Sequence, residues 1–547
     1  MGDLTPEQLL VLADAAGLRL LDEDVEPLTL QLNALIEGLG TLDAHDLDGV
    51  APLPALQHPA ELPHHDRTPP PPLATETGAP LAYKPITELA HLMHSGQLSP
   101  VELTEAYLDR IERFDGELHS YITVTAELAR RQAREAEAAL RGGDAGPLTG
   151  VPLAHKDEFY TKGILTTCGS AILSEFVPEY DATVIAKLHE AGAVMLGKLN
   201  MTEWASPLTW EFPYGQPRNP WDLEYDAGGS STGSGIATAA GLCAGSMGED
   251  TGGSIRRPAS CNSAVGLRPS WGRVSTYGLI PASWYQDTAA PLARTVADCA
   301  LILNAVAGHD PLDPMSARLP VPDYTAVLDG EVRGLRIGLV QEAIHSAHLD
   351  PEVKARVLEA AKVFEGLGAT VEEVSVPLMP DGGLINGALG SPRTALHWRH
   401  LAEAAADYDT GVRLYTILPG LIPAALYQRA LQLRSLLRAQ VLAATERFDV
   451  LISPAYPAPP PRIEDTKSPP RSKEQAVEQM HKFSYTAPAN YAGLPAISVP
   501  AGFSERGLPI GLQIMAKRFD EESVFRAAHA FEVATPWHTM RPPVGDD

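Results

Sequence analysis

From residue 83 onward, short apolar runs alternate with amphipathic segments. That alternation limits the folds open to this chain more than any other feature. In "YDATVIAKLHEAGAVMLGK", Asp181 is placed to cap a helix, Gly192 to end it, and residues 193–196 to form a buried strand. "LRIGLV" at 335–340 predicts another strand. A helix with Asp350 as its cap and Pro351 in its first turn follows, and then the strand-like "ATVEEVSVP". "IPAALYQRALQLRSLLRAQVLAATERF" reads as a long helix and "DVLISPA" as the strand after it. This βαβ pattern belongs to an α/β protein whose sheet is covered by helices.

Residues 1–50 read differently, as a small helical segment. Thr5 can cap a helix with Pro6 in its first turn, and Gln8 completes a capping box. Leu9, Leu10, Leu12 and Ala13 give an apolar stripe that ends near Gly17. A second helix is expected after Asp22, with Val25, Leu28, Leu32, Leu35, Ile36 and Leu39 at helical spacing. Two helices this short cannot bury their stripes against each other, so they should lie on something larger. Residues 51–82 include "APLPALQHPAELPHHDRTPPPP", whose proline density reads as an extended linker. His58, His64, His65 and Asp66 fall in it, and a linker does not hold metal ligands in place. Residues 83–547 then form the catalytic domain.

The formal charge of -27 over 547 residues argues against nucleic acid or an anionic membrane as a partner. Cys168, Cys243, Cys261 and Cys299 include no C-x-x-C pair, which fits a reducing cytoplasm better than a disulfide framework. "MGDLTPEQ" is no signal peptide, and no run of about twenty apolar residues offers a membrane span. A cytoplasmic location is therefore expected.

Three stretches carry chemistry. "EDTGGSIRRPAS" (249–260) sets Ser254 on nearly bare backbone. "DAGGSSTGSGIATAAG" (226–241) lacks the G-K-[ST] of a P-loop. It does contain G-x-S-x-G, which would make Ser231 the elbow nucleophile of an α/β-hydrolase, or it is a turn that caps a helix. "GVPLAHKDEF" ends an apolar run on Lys156, a lysine that either snorkels to a sheet edge or is desolvated. Desolvation lowers a lysine pKa, and a neutral lysine can take a proton from a serine nucleophile.

In order, "GVPLAHKDEF", "LGKLNMTEWA", "NPWDLEYDAGGSSTGSG", "GEDTGGSIRRPAS" and "PLARTVADCALILNAVAG" resemble the blocks of the amidase signature family. "NYAGLPAISVPAGFSERGLPIGLQIM" is similar to that family's closing segment. The resemblance covers roughly residues 83–540. It implies a large mixed twisted sheet with helices on both faces, beside the small N-terminal helical segment. It places the family's lysine on Lys156, its middle serine (after a cis peptide bond) on Ser230, and its nucleophile on Ser254. The backbone N–H groups of Thr251, Gly252, Gly253 and Ser254 would form the oxyanion hole, and Arg256 would pair with Asp250. Ala227, Thr232 and Gly235 depart from the family pattern.

The activity implied is a serine hydrolase of carbon–nitrogen bonds in amides, anilides or carbamates (a urethanase), working through an acyl-enzyme with no cofactor and no metal. The expected partner is a small-molecule amide or carbamate, with no nucleic acid and no membrane; a homodimer is left open. The alternative is the glutamine-hydrolysing A subunit of a tRNA-dependent amidotransferase. Residues 1–50 favour that alternative, since they resemble the C subunit of the glutamyl-tRNA amidotransferase. The acyl pocket should draw on residues 310–485, with Trp398, Tyr408, Tyr415, Leu418 and Tyr427 as candidates and Trp204, Trp210 and Trp284 nearby.

Overall fold

The computed structural model describes residues 3–42, 45–47, 50–52, 58–59, 61–62 and 78–544. Most of the proline-rich linker, with His64, His65 and Asp66, lies outside the described residues. No helix among those described is long and apolar enough to cross a membrane.

Eleven strands form one mixed sheet. They are β1 (Tyr121–Val124), β2 (Pro152–Lys156), β3 (Val194–Leu199), β4 (Gly245–Glu249), β5 (Val265–Arg268), β6 (Ala289–Ala293), β7 (Arg336–Val340), β8 (Thr370–Val374), β9 (Val450–Pro454), β10 (Ala496–Phe503) and β11 (Pro509–Ala516). Their order is β1-β3-β2-β4-β6-β5-β10-β11-β9-β7-β8. β2 pairs in parallel with both β3 and β4, and β7 in parallel with β8 and β9. Antiparallel strands join the two parallel groups. The parallel strands β2, β3 and β4 are buried along their whole length, as strands covered by helices on both faces must be.

The expected elements form, with one correction. Asp350 caps its helix (Pro351–Gly366) by accepting from the Glu352 N–H, and the long helix runs Ala424–Arg447. Asp181 does not cap. Helix Thr183–Glu190 has Ala182 at its N-cap, because the extended chain continues one residue further. Asp181 instead accepts from the Lys162 N–H at 2.7 Å and ties two loops together. Gly192, at φ +79°, turns the chain out of this helix into β3.

The N-terminal helices are α1 (Pro6–Ala15) and α2 (Val25–Thr41). Thr5 and Gln8 form the capping box at α1. Leu9, Ala13, Leu28 and Leu32 are buried in a cluster with Met201, Trp204, Val412 and Leu418. The stripes therefore do find a larger surface. A buried ion pair fixes their position: Arg413 Nε lies 2.9 Å from Asp24 Oδ2, with Glu23 2.6 Å from the same guanidinium. Asp24 has no exposed surface.

Removing one partner of a buried pair leaves an uncompensated charge and typically costs about 3–5 kcal/mol. Asp24→Asn is expected to lower unfolding stability by about that amount in urea titration. Deleting residues 1–50 should lower both the melting temperature and the solubility. An unchanged melting curve for the deletion would show that the helices do not dock.

Candidate active site

Parallel pairing of β2 with β4 sets the frame. His155 lies opposite Met247, so Lys156 and Glu249 leave the sheet at the same C-terminal edge. Ligand sites in such sheets form beyond the C-terminal ends of parallel strands. Lys156 has no exposed surface. Its Nζ donates to Ser230 Oγ at 2.8 Å and lies 2.9 Å from Glu158 Oε1 and 3.2 Å from Glu249 Oε2. The Gly229–Ser230 peptide bond is cis. A Cβ at Gly229 would come within 2.8 Å of Thr202 Cγ2, so the turn into Ser230 accepts only glycine there. Ser230 and Ser254 open onto one pocket together with Thr251 and Gly252.

The charge state of Lys156 differs from the expectation. Burial alone weakens its hold on a proton, but Glu158 and Glu249 outweigh burial and push the ammonium above the ordinary lysine range. Sequence reading anticipated the desolvation and not the carboxylates. Glu158 bears the consequence. Burial pushes it up, with Lys156 opposing and Glu249 adding, to about 8. Burial and Glu249 push Asp287 up to about 7. Thr251 Oγ1 sits 2.6 Å from Glu249 Oε1 and 2.8 Å from Asp287 Oδ1. One hydroxyl proton cannot serve both carboxylates, so a protonated Asp287 donating to Thr251 satisfies all three groups.

A second knot holds the serine loop. Asp250 lies between Arg256 and Arg268, 3.0 Å and 3.2 Å from their guanidinium nitrogens, and also accepts from Asn490 Nδ2. Burial raises its pKa, but the two arginines hold it well below the usual carboxylate range. Arg256 also reaches the Thr486 carbonyl and Gln513 Oε1, and so joins this loop to a later helix and to β11. Asp250 accepts the Gly253 N–H at 2.9 Å. Gly253 is thus removed from the four expected oxyanion donors, and Thr251, Gly252 and Ser254 have no backbone acceptor among the described residues. Gly253 stands at φ +112°, and a Cβ there would meet Thr486 at 2.6 Å.

Ser231, the other nucleophile candidate, is fully buried, and its hydroxyl is occupied by the backbone of Glu249. It holds the loop to β4 and does not face the pocket. Asp157 pairs with the buried Lys198 at 3.1 Å and accepts from Thr167. The Lys-Asp motif therefore gives one residue to the site and one to its frame.

The far wall of the pocket comes from Asn386, Arg393, Tyr415 and Phe483. All four fall within residues 310–485, but of the aromatic candidates only Tyr415 lines the pocket. Tyr408 is buried against His397, and Trp398 is half exposed. Trp204 packs among the N-terminal helices and Trp284 is exposed. Arg393 is buried, donates to the Trp204 carbonyl and stacks on Tyr415. Arg257 lies between the rings of Tyr456 and Phe483.

A family model described as Amidase matches residues 102–395 and 412–525. The chain belongs to the amidase signature family. It is 44% identical over 484 residues to the A subunit of a glutamyl-tRNA(Gln) amidotransferase from Geobacter metallireducens, a match that covers 83% of this chain and 98% of that one. Among solved structures it is similar to a chain from a vestigial protein complex bearing on the origins of an s-triazine catabolic enzyme (TM-score 0.76, 34% identity, 82% and 98% covered). A bacterial aryl acylamidase of the same family gives a TM-score of 0.76 at 28% identity, with 84% and 98% covered.

The amidotransferase relatives overturn one expectation, that the partner is a small-molecule amide or carbamate and nothing else, with nucleic acid excluded. They are named as subunits of an enzyme for a tRNA. Net charge describes a whole surface and does not tell which chain of an assembly meets the nucleic acid. In this amidase, the three departures from the family pattern fit together locally. A Cβ at Gly235 would meet Asn262 Nδ2 at 2.6 Å, and that amide donates to the Ala227 carbonyl at 2.7 Å. Thr232 opens the helix that follows Ser230.

The protons held on Glu158 and Asp287 have a measurable consequence. Both groups bind a proton more tightly folded than unfolded, where their ordinary values are 4.5 and 3.8. The stability they contribute is fully present below those values and is lost as pH rises through about 7 to 8. Glu158→Gln is expected to flatten the fall of melting temperature across that window. A slope identical to that of the parent would refute the assignment.

Proposed function

We propose that this amidase hydrolyses a primary carboxamide and releases ammonia, with glutamine as the substrate and a tRNA-dependent amidotransferase as the setting. The bond from Lys156 Nζ to Ser230 Oγ, beside Ser254 in one pocket, is the observation that carries the chemistry. Likeness to the amidotransferase relatives along nearly their whole length supports the setting.

Ser254 Oγ attacks the amide carbon while its proton passes to Ser230 and from Ser230 to Lys156. Lys156 can accept that proton only when neutral. Glu158, 2.9 Å away, is placed to take the ammonium's proton when it is itself ionised, a state that its rise to about 8 makes more populated as pH increases. Each serine hydroxyl both donates and accepts, so the relay needs no further group. The N–H groups of Thr251, Gly252 and Ser254 receive the developing oxyanion, each such donor being worth about 2.7–4 kcal/mol. Ser230 returns the proton to the departing ammonia. Water then cleaves the acyl-enzyme along the same route in reverse.

A second reading has its own observation. Among the described residues lining the pocket, Arg257 and Arg393 are cationic and no carboxylate is present to meet the ammonium of glutamine. That wall suits an amide bearing a carboxylate and no amine, and the same attack would cleave an anilide or a carbamate.

Ser254→Ala is expected to abolish ammonia release with the melting curve intact, and Lys156→Ala to abolish it with a lowered melting temperature, since it leaves Glu158 and Glu249 buried without their cation. Ser230→Ala should fall by about a hundredfold or more, as loss of a proton relay does. Ser231→Ala should stay near the parent rate; the opposite pattern for Ser231 and Ser254 would restore the elbow nucleophile. Glutamine hydrolysis that rises with added partner proteins of the amidotransferase, glutamyl-tRNA and ATP supports that setting. Turnover of glutaramate, which lacks the α-amino group, well above that of glutamine supports the second reading.

A further inference from the structure

Across Tyr415 from the catalytic pocket lies a second chamber. The two share Pro207, Asn386, Gly390, Tyr415 and Phe483 as a common wall. The further chamber has a volume of about 60 Å³, the same as that of the catalytic pocket. Its sides are mainly apolar, from Leu418, Pro419, Ala476 and Met480. Gly383, Gly387 and Gly390 leave its floor without side chains. A Cβ at Gly387 would make only ordinary contacts, nearest at 3.4 Å with Leu35, so the backbone there does not demand glycine.

One wall comes from the N-terminal helices. Gln31 lies on the buried face of α2, in register with Leu28 and Leu35, where the helix otherwise carries leucine. It is 5% exposed, lines the chamber, and its Nε2 has no hydrogen-bond partner among the described residues. A buried amide N–H without an acceptor is destabilising, because it has lost its water and gained nothing in return. A ligand acceptor in the chamber would remove that cost.

We infer that this chamber is a second subsite of the active site, that it takes an apolar acyl group carrying one hydrogen-bond acceptor, and that Gln31 donates to that acceptor. The inference rests on primary-amide hydrolysis: when ammonia is the leaving group, whatever fills the chamber belongs to the acyl side. The N-terminal segment then determines specificity as well as packing against the body.

The test is binding to the full-length Ser254→Ala chain by calorimetry, with three primary amides that differ only beyond the reacting group. Butyramide stops in the catalytic pocket, δ-phenylvaleramide reaches the chamber, and γ-benzoylbutyramide adds a ketone acceptor. The phenyl amide should bind about tenfold tighter than butyramide. The ketone should bind about fivefold tighter than the phenyl amide. Adding Gln31→Leu should abolish the ketone's advantage and leave the phenyl gain unchanged. Equal binding of all three, or a ketone advantage untouched by Gln31→Leu, would overturn the inference. The ratios in the chain with Gln31 intact decide it even where Gln31→Leu does not fold. Ammonia release by the unmodified chain is read separately; its absence from every amide would sink the hydrolysis reading and not the subsite.

Discussion

The site depends on one buried ammonium. Lys156 sits without solvent between a serine hydroxyl and two carboxylates, and every other group is arranged around that charge. A lone buried lysine would lose its proton; this one keeps it because Glu158 and Glu249 stand within 3.2 Å. Burial and the neighbouring Glu249 charge push Glu158 up to about 8 and Asp287 up to about 7, so both hold a proton more tightly than an ordinary carboxylate. Lys156 and Glu158 therefore form a close, water-free pair in which each shifts the other's hold on its proton. Glu249 also accepts from the Thr251 hydroxyl, so one carboxylate ties the lysine to the serine loop.

A second constraint keeps the serine loop open. Asp250 draws in the N–H groups of Gly253 and Ile255 along with two guanidinium groups. The loop is thereby held in a curl that keeps Thr251, Gly252 and Ser254 on the pocket wall. Buried ionic networks of this kind add little net stability over an apolar core, but removing one member is costly. Arg256 and Asp250 are therefore geometric parts of the site, although neither lines the pocket.

Much of this was legible in the sequence, and the part that was not has a physical reason. Helix caps, strands and the positions of Lys156, Ser230 and Ser254 follow from local pattern and family spacing. Glu249 could not be placed beside Lys156 without the parallel register of β2 against β4, which no local pattern states. Gly253 seemed an oxyanion donor because it is bare; its N–H is taken by a carboxylate three residues earlier, a turn contact that glycine content alone does not reveal. Arg393 and Phe483 reach the pocket from distant helix and loop segments, where one sequence offers no cue. Asp181 shows the converse: a residue of the right type in the right place finds a better donor across a loop.

Covalent linkage changes what the N-terminal helices must do. A separate chain would have to overcome the loss of translational freedom on docking, whereas a tethered segment docks at the effective concentration its linker sets. Modest apolar burial is then sufficient, and the interface can include features that cost energy. The Asp24–Arg413 pair is one, since both charges lose their water. Gln31 is another, a polar side chain on a face otherwise built of leucine. An interface optimised only for adhesion would have replaced both with apolar groups. Their presence fixes the register of α2 on the catalytic body and sets Gln31 in the wall of the chamber across Tyr415.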